Sequence, residues 1–185
     1  KIKKYTASII LAFALSLTTS CNNEDDPITT ADYSTILNNT GQNVILKTYE
    51  ALAVNTGELE IATQTLEANP TAQNLEAAKA AWVKARSPWE QSEGFLFGPV
   101  DQEGIDPSLD SWPVNVTDLN NVLASGHALT VAFLAQQEGT LKGFHTIEFL
   151  LWGEDGSKPV EQFTAREFEY LVAASGVLAE DAATL

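Results

Sequence analysis

An all-α, up-down helical bundle is the fold this sequence predicts, and three observations predict it. From about Ala31 onward apolar residues recur near helical period, and no segment shows the strict alternation of a half-buried strand. The strong punctuation, Asn69-Pro70-Thr71, Gly139, Gly153–Pro159 and Thr164, falls where helices would end or begin. At 185 residues and 44% hydrophobic, the chain can fill one ordinary core.

The elements follow in order. Between Ala31 and Ala68 there is no proline, and Ile36, Leu37, Val44, Ile45, Tyr49, Leu52, Leu59, Ile61 and Leu66 supply apolar positions. Gly41 and Gly57 are weak points in that stretch. Thr71 is placed to cap a second helix carrying Leu75, Ala78, Trp82, Val83 and Arg86. Pro88 lacks a backbone donor and is expected to kink or end that helix, with the pattern resuming over Trp89–Phe95. From Leu96 to about Val116 the sequence reads as a long loop broken by Gly98-Pro99, Gly104, Asp106-Pro107 and Trp112-Pro113. Loops of that length inside a compact domain are commonly functional. Thr117-Asp118 is expected to cap a helix running to about Gln137. The next helix holds Gly143–Gly153, and the last starts after Thr164.

The first thirty residues read differently. Lys1, Lys3 and Lys4 precede a short apolar run, Ala7–Leu17, too short to span a bilayer as a mature helix. With Thr18-Thr19-Ser20 before Cys21, residues 1–20 read as a secretory signal peptide of the lipoprotein kind. Leu17–Cys21 is similar to a bacterial lipobox, which would make Cys21 a lipidated N-terminus and the membrane a partner through that anchor. Residues 21–30 read as an acidic tether. Residues 31–185 read as one helical domain that stops inside an unfinished helical pattern, as expected of a truncated chain. The expected location is the bacterial cell envelope, lipid-anchored to the outer membrane, on either its periplasmic or its outer face.

With 25 acidic residues against 10 basic, the chain has a net charge of −15, which excludes nucleic acid as a partner. Such a surface suits solubility and attracts cations. Cys21 is the sole cysteine, so no internal disulfide framework or cysteine-rich metal site exists.

The stretch Gly143–Gly153, GFHTIEFLLWG, poses an energetic problem. His145 and Glu148, three apart, project from one helix face among apolar neighbours. Burying them requires compensation by a metal, a charged partner or a hydrogen-bond network. Near Pro88, Arg86, Glu90 and Glu93 offer charged groups, and Asp106 and Asp110 follow beside Trp112. Helices that project carboxylates and a histidine inward can build a divalent-metal site for iron, manganese or zinc. The same residues could instead form a metal-free ion-pair network in which Arg86 neutralises Glu93 or Glu148.

Several ordered motifs resemble the imelysin family. They are Ala81-Trp82 through Arg86, Ser87-Pro88-Trp89-Glu90, Glu93, Phe95 and Phe97-Gly98-Pro99, then Ile105–Pro113, and Gly143–Glu148, which matches a GxHxxE signature. Arg166, Glu169, Tyr170 and Leu171 resemble the helix that follows. The resemblance runs from roughly Asn43 to Leu185. It implies the first half of a two-bundle fold, with the site near the meeting of the halves, in a bacterial envelope protein connected with iron uptake. On that reading His145, Glu148, Glu93 and Asp110 are candidate metal ligands, for iron first and zinc second. Arg86, Glu90, Trp112 and Gly143 support them, and other iron-uptake envelope proteins are expected partners.

The family also implies an alternative, a zinc-dependent peptidase with Glu148 as its catalytic residue. Zinc peptidase helices carry two histidines one turn apart, as HExxH or HxxEH. Here Phe149 occupies the position four after His145, and His127 stands in the preceding segment. Enzymatic activity therefore stays open, and binding ranks above cleavage. A third possibility is a helical scaffold whose polar cluster is only structural.

Overall fold

The computed structural model describes residues 30–185. The signal-peptide and Cys21 readings lie outside the described residues, as does the tether up to residue 29. The chain divides into two compact units, 1–39 and 40–185. In the first, the described part belongs to helix α1 (Thr30–Thr40). Ile36 and Leu37, expected as core positions, are exposed there.

The second unit begins with a π-helical turn, Gly41–Ile45, followed by α2 (Leu46–Ala68) and α3 (Ala72–Ser92). Tyr49, Leu52, Thr56, Leu59, Thr63 and Leu66 form the buried face of α2, at alternating spacings of three and four. Ile61 falls off that stripe and is exposed. Thr56 and Thr63 can be buried because their hydroxyls donate to the Leu52 and Glu60 carbonyls, both at 2.9 Å. The α2–α3 hairpin turns at Asn69–Thr71. Thr71 caps α3 as expected, its hydroxyl accepting from the Asn74 amide.

Pro88 does not end α3, which continues to Ser92. Proline removes the amide that would have bonded the Lys84 carbonyl one turn back. Asn55 of α2 donates its side-chain amide to that carbonyl at 3.1 Å. The lost intrahelical bond is thus replaced by one that ties the two helices together.

The expected loop from Leu96 to Val116 contains two short helices, α4 (Pro99–Gln102) and α5 (Ile105–Asp110). Their buried Val100, Ile105 and Leu109 anchor the segment in the core, which its glycines and prolines concealed. The expected helix to Gln137 is also broken. Asn115 rather than Thr117 caps α6 (Val116–Ala124), accepting from the Asp118 amide. The chain leaves the helix at Ser125-Gly126-His127, and α7 (Val131–Ala135) restarts from a Thr130 cap. Arg166 holds the gap by donating to the carbonyls of Leu123, Ser125 and His127.

A 3-10 turn, Gly139–Leu141, leads into α8 (Gly143–Trp152), and α9 (Ala165–Ala182) closes the unit. Thr164 and Glu167 form a full capping box at the start of α9. That helix is buried on nearly every side from Phe168 to Leu178, and it packs on α2, α5, α7 and α8. Close packing needs small residues there: a Cβ on Gly176 would lie 2.6 Å from Val131 Cγ2. The described residues contain helices and no strand, so the all-α class is correct. No helix among them is long and apolar enough to cross a membrane.

Candidate functional site

The site is set by how α8 begins. Gly143 has φ +78°, and a Cβ there would collide with the carbonyls of Ser108 and Leu109. Glycine therefore lets the first turn of α8 rest directly on the last turn of α5. That docking places His145 next to Asp110, the final residue of α5. Behind it, the buried Tyr170 hydroxyl donates to the Leu141 carbonyl at 2.6 Å, fixing the turn before α8. Burial pushes the Tyr170 pKa well above its usual value, so the phenol stays a donor.

Asp110 is the hub. Arg86 Nη1 donates to Oδ1, and the Trp89 indole donates to Oδ2 at 2.8 Å. His145 Nε2 also lies 3.1 Å from Oδ1. On the far side of the ring, His145 Nδ1 lies 3.1 Å from Glu148 Oε2. A neutral imidazole can donate to only one of these carboxylates, an imidazolium to both. Arg86 reaches Glu90 Oε1 at 2.5 Å and passes over the Phe144 ring, its carbon 5.2 Å from the centroid. Burial alone would lower the Arg86 pKa; the Asp110 hydrogen bond and the Asp110 and Glu90 charges overcome this and raise it. Nearby Asp106 is pushed up, first by burial and then by Asp110 and Asp101.

Arg86 and Trp89 share a face of α3 with Trp82, whose indole donates to the Phe144 carbonyl at 3.0 Å. The ring of Trp112 meets His145 edge-on at 4.8 Å while staying 72% exposed. Together with Val116, Phe149 and Trp152, it borders an open groove of about 430 Å³ into which His145 and Glu148 face.

His145, Glu148, Asp110, Arg86, Trp112 and Gly143 thus converge, with Glu90 at the rim. Glu93 does not join them: α3 tightens into a 3-10 turn, Glu93–Phe95, leaving that carboxylate exposed and outside the network. The Tyr49–Phe95 ring contact at 5.6 Å closes this end of the helix. Arg86 pairs with Asp110 and Glu90 rather than with the expected Glu93 or Glu148. His127 is exposed beyond α6, stacked on Phe133 at 5.2 Å. Sequence reasoning assigned no role to Trp89, although its place three residues after Arg86 puts it on the same helix face. Among the described residues, no three His, Cys, Asp or Glu groups converge as a metal site. Asp110 is committed to Arg86 and Trp89, so these residues alone do not fit a self-sufficient metal centre.

A helical bundle with a GxHxxE helix docked on an arginine-held aspartate defines an all-α protein with a polar site open on one side. The imelysin family model, described as peptidase M75, matches residues 45–185, and the chain belongs to the imelysin family. It is 43% identical over 109 residues to iron-regulated protein A of Synechococcus elongatus PCC 7942, covering 59% of this chain and 29% of that protein. A crystal structure assigned as an iron-regulated protein A precursor from Parabacteroides distasonis superposes with a TM-score of 0.74 at 28% identity. That match covers 90% of this chain and 45% of the other. An imelysin-like protein from Psychrobacter arcticum shares the fold with a TM-score of 0.70 at 19% identity, over 80% of this chain and 47% of that one. The chain thus spans under a third of the curated relative and under half of each solved structure.

Proposed function

We propose that this chain is part of an iron-responsive bacterial envelope protein, lipid-anchored to the outer membrane through Cys21, that binds a divalent metal. In this reading His145 and Glu148 contribute two ligands, and the remaining donors come from outside residues 30–185. Iron is the first candidate, since two of the relatives carry iron-regulated names. The observation that carries the reading is the open end of the Asp110–His145–Glu148 chain. Asp110 is 13% exposed and held by two other donors, whereas the Glu148 side chain is 44% exposed at the groove. Imidazole with carboxylate suits iron(II), manganese and zinc.

The zinc peptidase alternative gains nothing from the geometry, because His127 stands on a separate exposed loop. Titration of the full-length protein with iron(II) and zinc tests the proposal. Wild type should bind one metal that the double variant His145→Ala, Glu148→Ala loses. Equal stoichiometry and affinity in both would overturn it.

A further inference from the structure

The groove beside Glu148 has a composition that metal binding does not use. Trp112 is held against His145 by its ring edge and is still 72% exposed, although an indole is among the side chains that gain most from burial. Val116 is also exposed, and Phe149 and Trp152 continue the apolar wall. Two carboxylates, Glu148 and Glu154, lie at the same groove, and no lysine or arginine lines it. Glu148 uses only Oε2 toward His145, leaving Oε1 available as an acceptor.

We infer that this groove docks a basic segment of a partner polypeptide, with an arginine or lysine side chain at Glu148 and apolar neighbours against Trp112 and Phe149. The inference rests on the reading of this site as a ligand site and names a second class of ligand for it: the basic side chain and the metal are alternative occupants of Glu148, so the peptide is titrated against chelator-treated protein. Three physical points lead to a cationic, partly apolar occupant. An anion would meet two carboxylates, and the ammonium of Lys79, over the Trp152 ring at 5.6 Å, is already paired with Glu76. A basic head on an alkyl stem gains a charge-assisted hydrogen bond to Glu148, a cation–π contact with an indole face, and burial of its methylenes. The chain's net charge of −15 steers such a segment toward it. The groove is open to solvent, which suits a side chain arriving on an extended backbone rather than an enclosed metabolite.

The experiment uses the full-length protein and an acetylated, amidated hexapeptide alternating arginine and leucine, followed by calorimetry. The control peptide carries citrulline, a neutral isostere, in place of arginine. The arginine peptide should bind about tenfold or more tightly than the citrulline peptide, one such contact being enough for that ratio. Trp112→Ala and Glu148→Gln should each weaken it about tenfold, while Phe97→Ala and Glu50→Gln, at exposed positions away from the groove, leave it unchanged. The inference is overturned by equal binding of both peptides, by equal losses in the groove and control variants, or by preference for a neutral sugar such as N-acetylglucosamine. Trp112 is not a proposed metal ligand, so Trp112→Ala that retains metal but binds peptide unchanged sinks this inference alone. Loss of metal binding in the His145→Ala, Glu148→Ala variant tests the other reading separately.

Discussion

The indole of Trp89, fully buried on α3, donates to Asp110 on α5 at 2.8 Å, so the carboxylate facing His145 is fixed from behind. With Arg86 on the other oxygen, two side chains one helical turn apart determine where the site's aspartate points. The exposed side of the site is then left to His145 and Glu148.

Removing Asp110 should therefore cost more than its single charge suggests. Asp110→Ala leaves the largely buried guanidinium of Arg86 with Glu90 alone and strands a buried indole N–H, and breaking such a pair costs about 3 kcal/mol. Trp89→Phe loses that donor and leaves a small cavity where the fully buried indole stood, for about 2 kcal/mol. Urea unfolding should show both as a lowered midpoint with unchanged slope. A cost under about 0.5 kcal/mol for Asp110→Ala would show that the carboxylate is not the hub.

Glycines 143 and 57 should respond in opposite ways to alanine. At Gly143 the positive φ and the Ser108 and Leu109 carbonyls both oppose a Cβ, so Gly143→Ala should destabilise by at least about 2 kcal/mol. It should also separate His145 from Asp110, visible as a changed imidazole NMR environment. Gly57 lies inside α2 with open space where its Cβ would go, so Gly57→Ala should stabilise by about 0.5–1 kcal/mol.

Long helices and their caps were legible because each has a local cause: the seven-residue spacing of Leu52, Leu59 and Leu66, two helical turns apart, and the Thr71 and Thr164 hydroxyls. The joining of His145 with Glu148 followed from helical pitch alone. What stayed hidden depends on contacts distant in sequence. The polarity of Thr63 hid a place on the stripe that Leu59 and Leu66 define, and no local rule tells that Asn55 rescues the helix across Pro88. The placement of Glu93 turned on a change from α to 3-10 geometry within one residue. Arg86 chose Asp110, 24 residues away, because α5 formed inside a stretch that reads as loop.

The Asn55 bond should be coupled energetically to Pro88. In wild type, Asn55→Ala removes the donor to the Lys84 carbonyl and should cost about 1 kcal/mol. In a Pro88→Ala background the restored backbone amide satisfies that carbonyl, and the same substitution should cost less than half as much. A double-mutant cycle in urea measures the difference. Strictly additive effects would mean that the Asn55 amide does not substitute for the missing backbone bond.

Acid should loosen the α9 capping box before it helps the site loop. For Glu167, burial raises the pKa, but the Lys158 hydrogen bond at 2.7 Å, the Thr164 amide and the Lys158 charge together bring it below the ordinary 4.5. A depressed folded-state pKa contributes stability that is complete above the unfolded value and lost as pH falls through the folded one. Asp106 has the opposite sign: its raised pKa means the folded state binds the proton more readily, so its ionisation weakens the fold as pH rises from 3.8 through the folded value. Glu167→Gln should therefore flatten the acid limb of the stability profile below about pH 4.5, having already removed stability at neutral pH. Asp106→Asn should do the reverse, raising stability at neutral pH and leaving it unchanged well below pH 3.8. Thermal unfolding from pH 3 to 7 on the two variants separates these contributions, and a Glu167→Gln profile parallel to wild type would rule out the Lys158 pairing as a source of acid sensitivity.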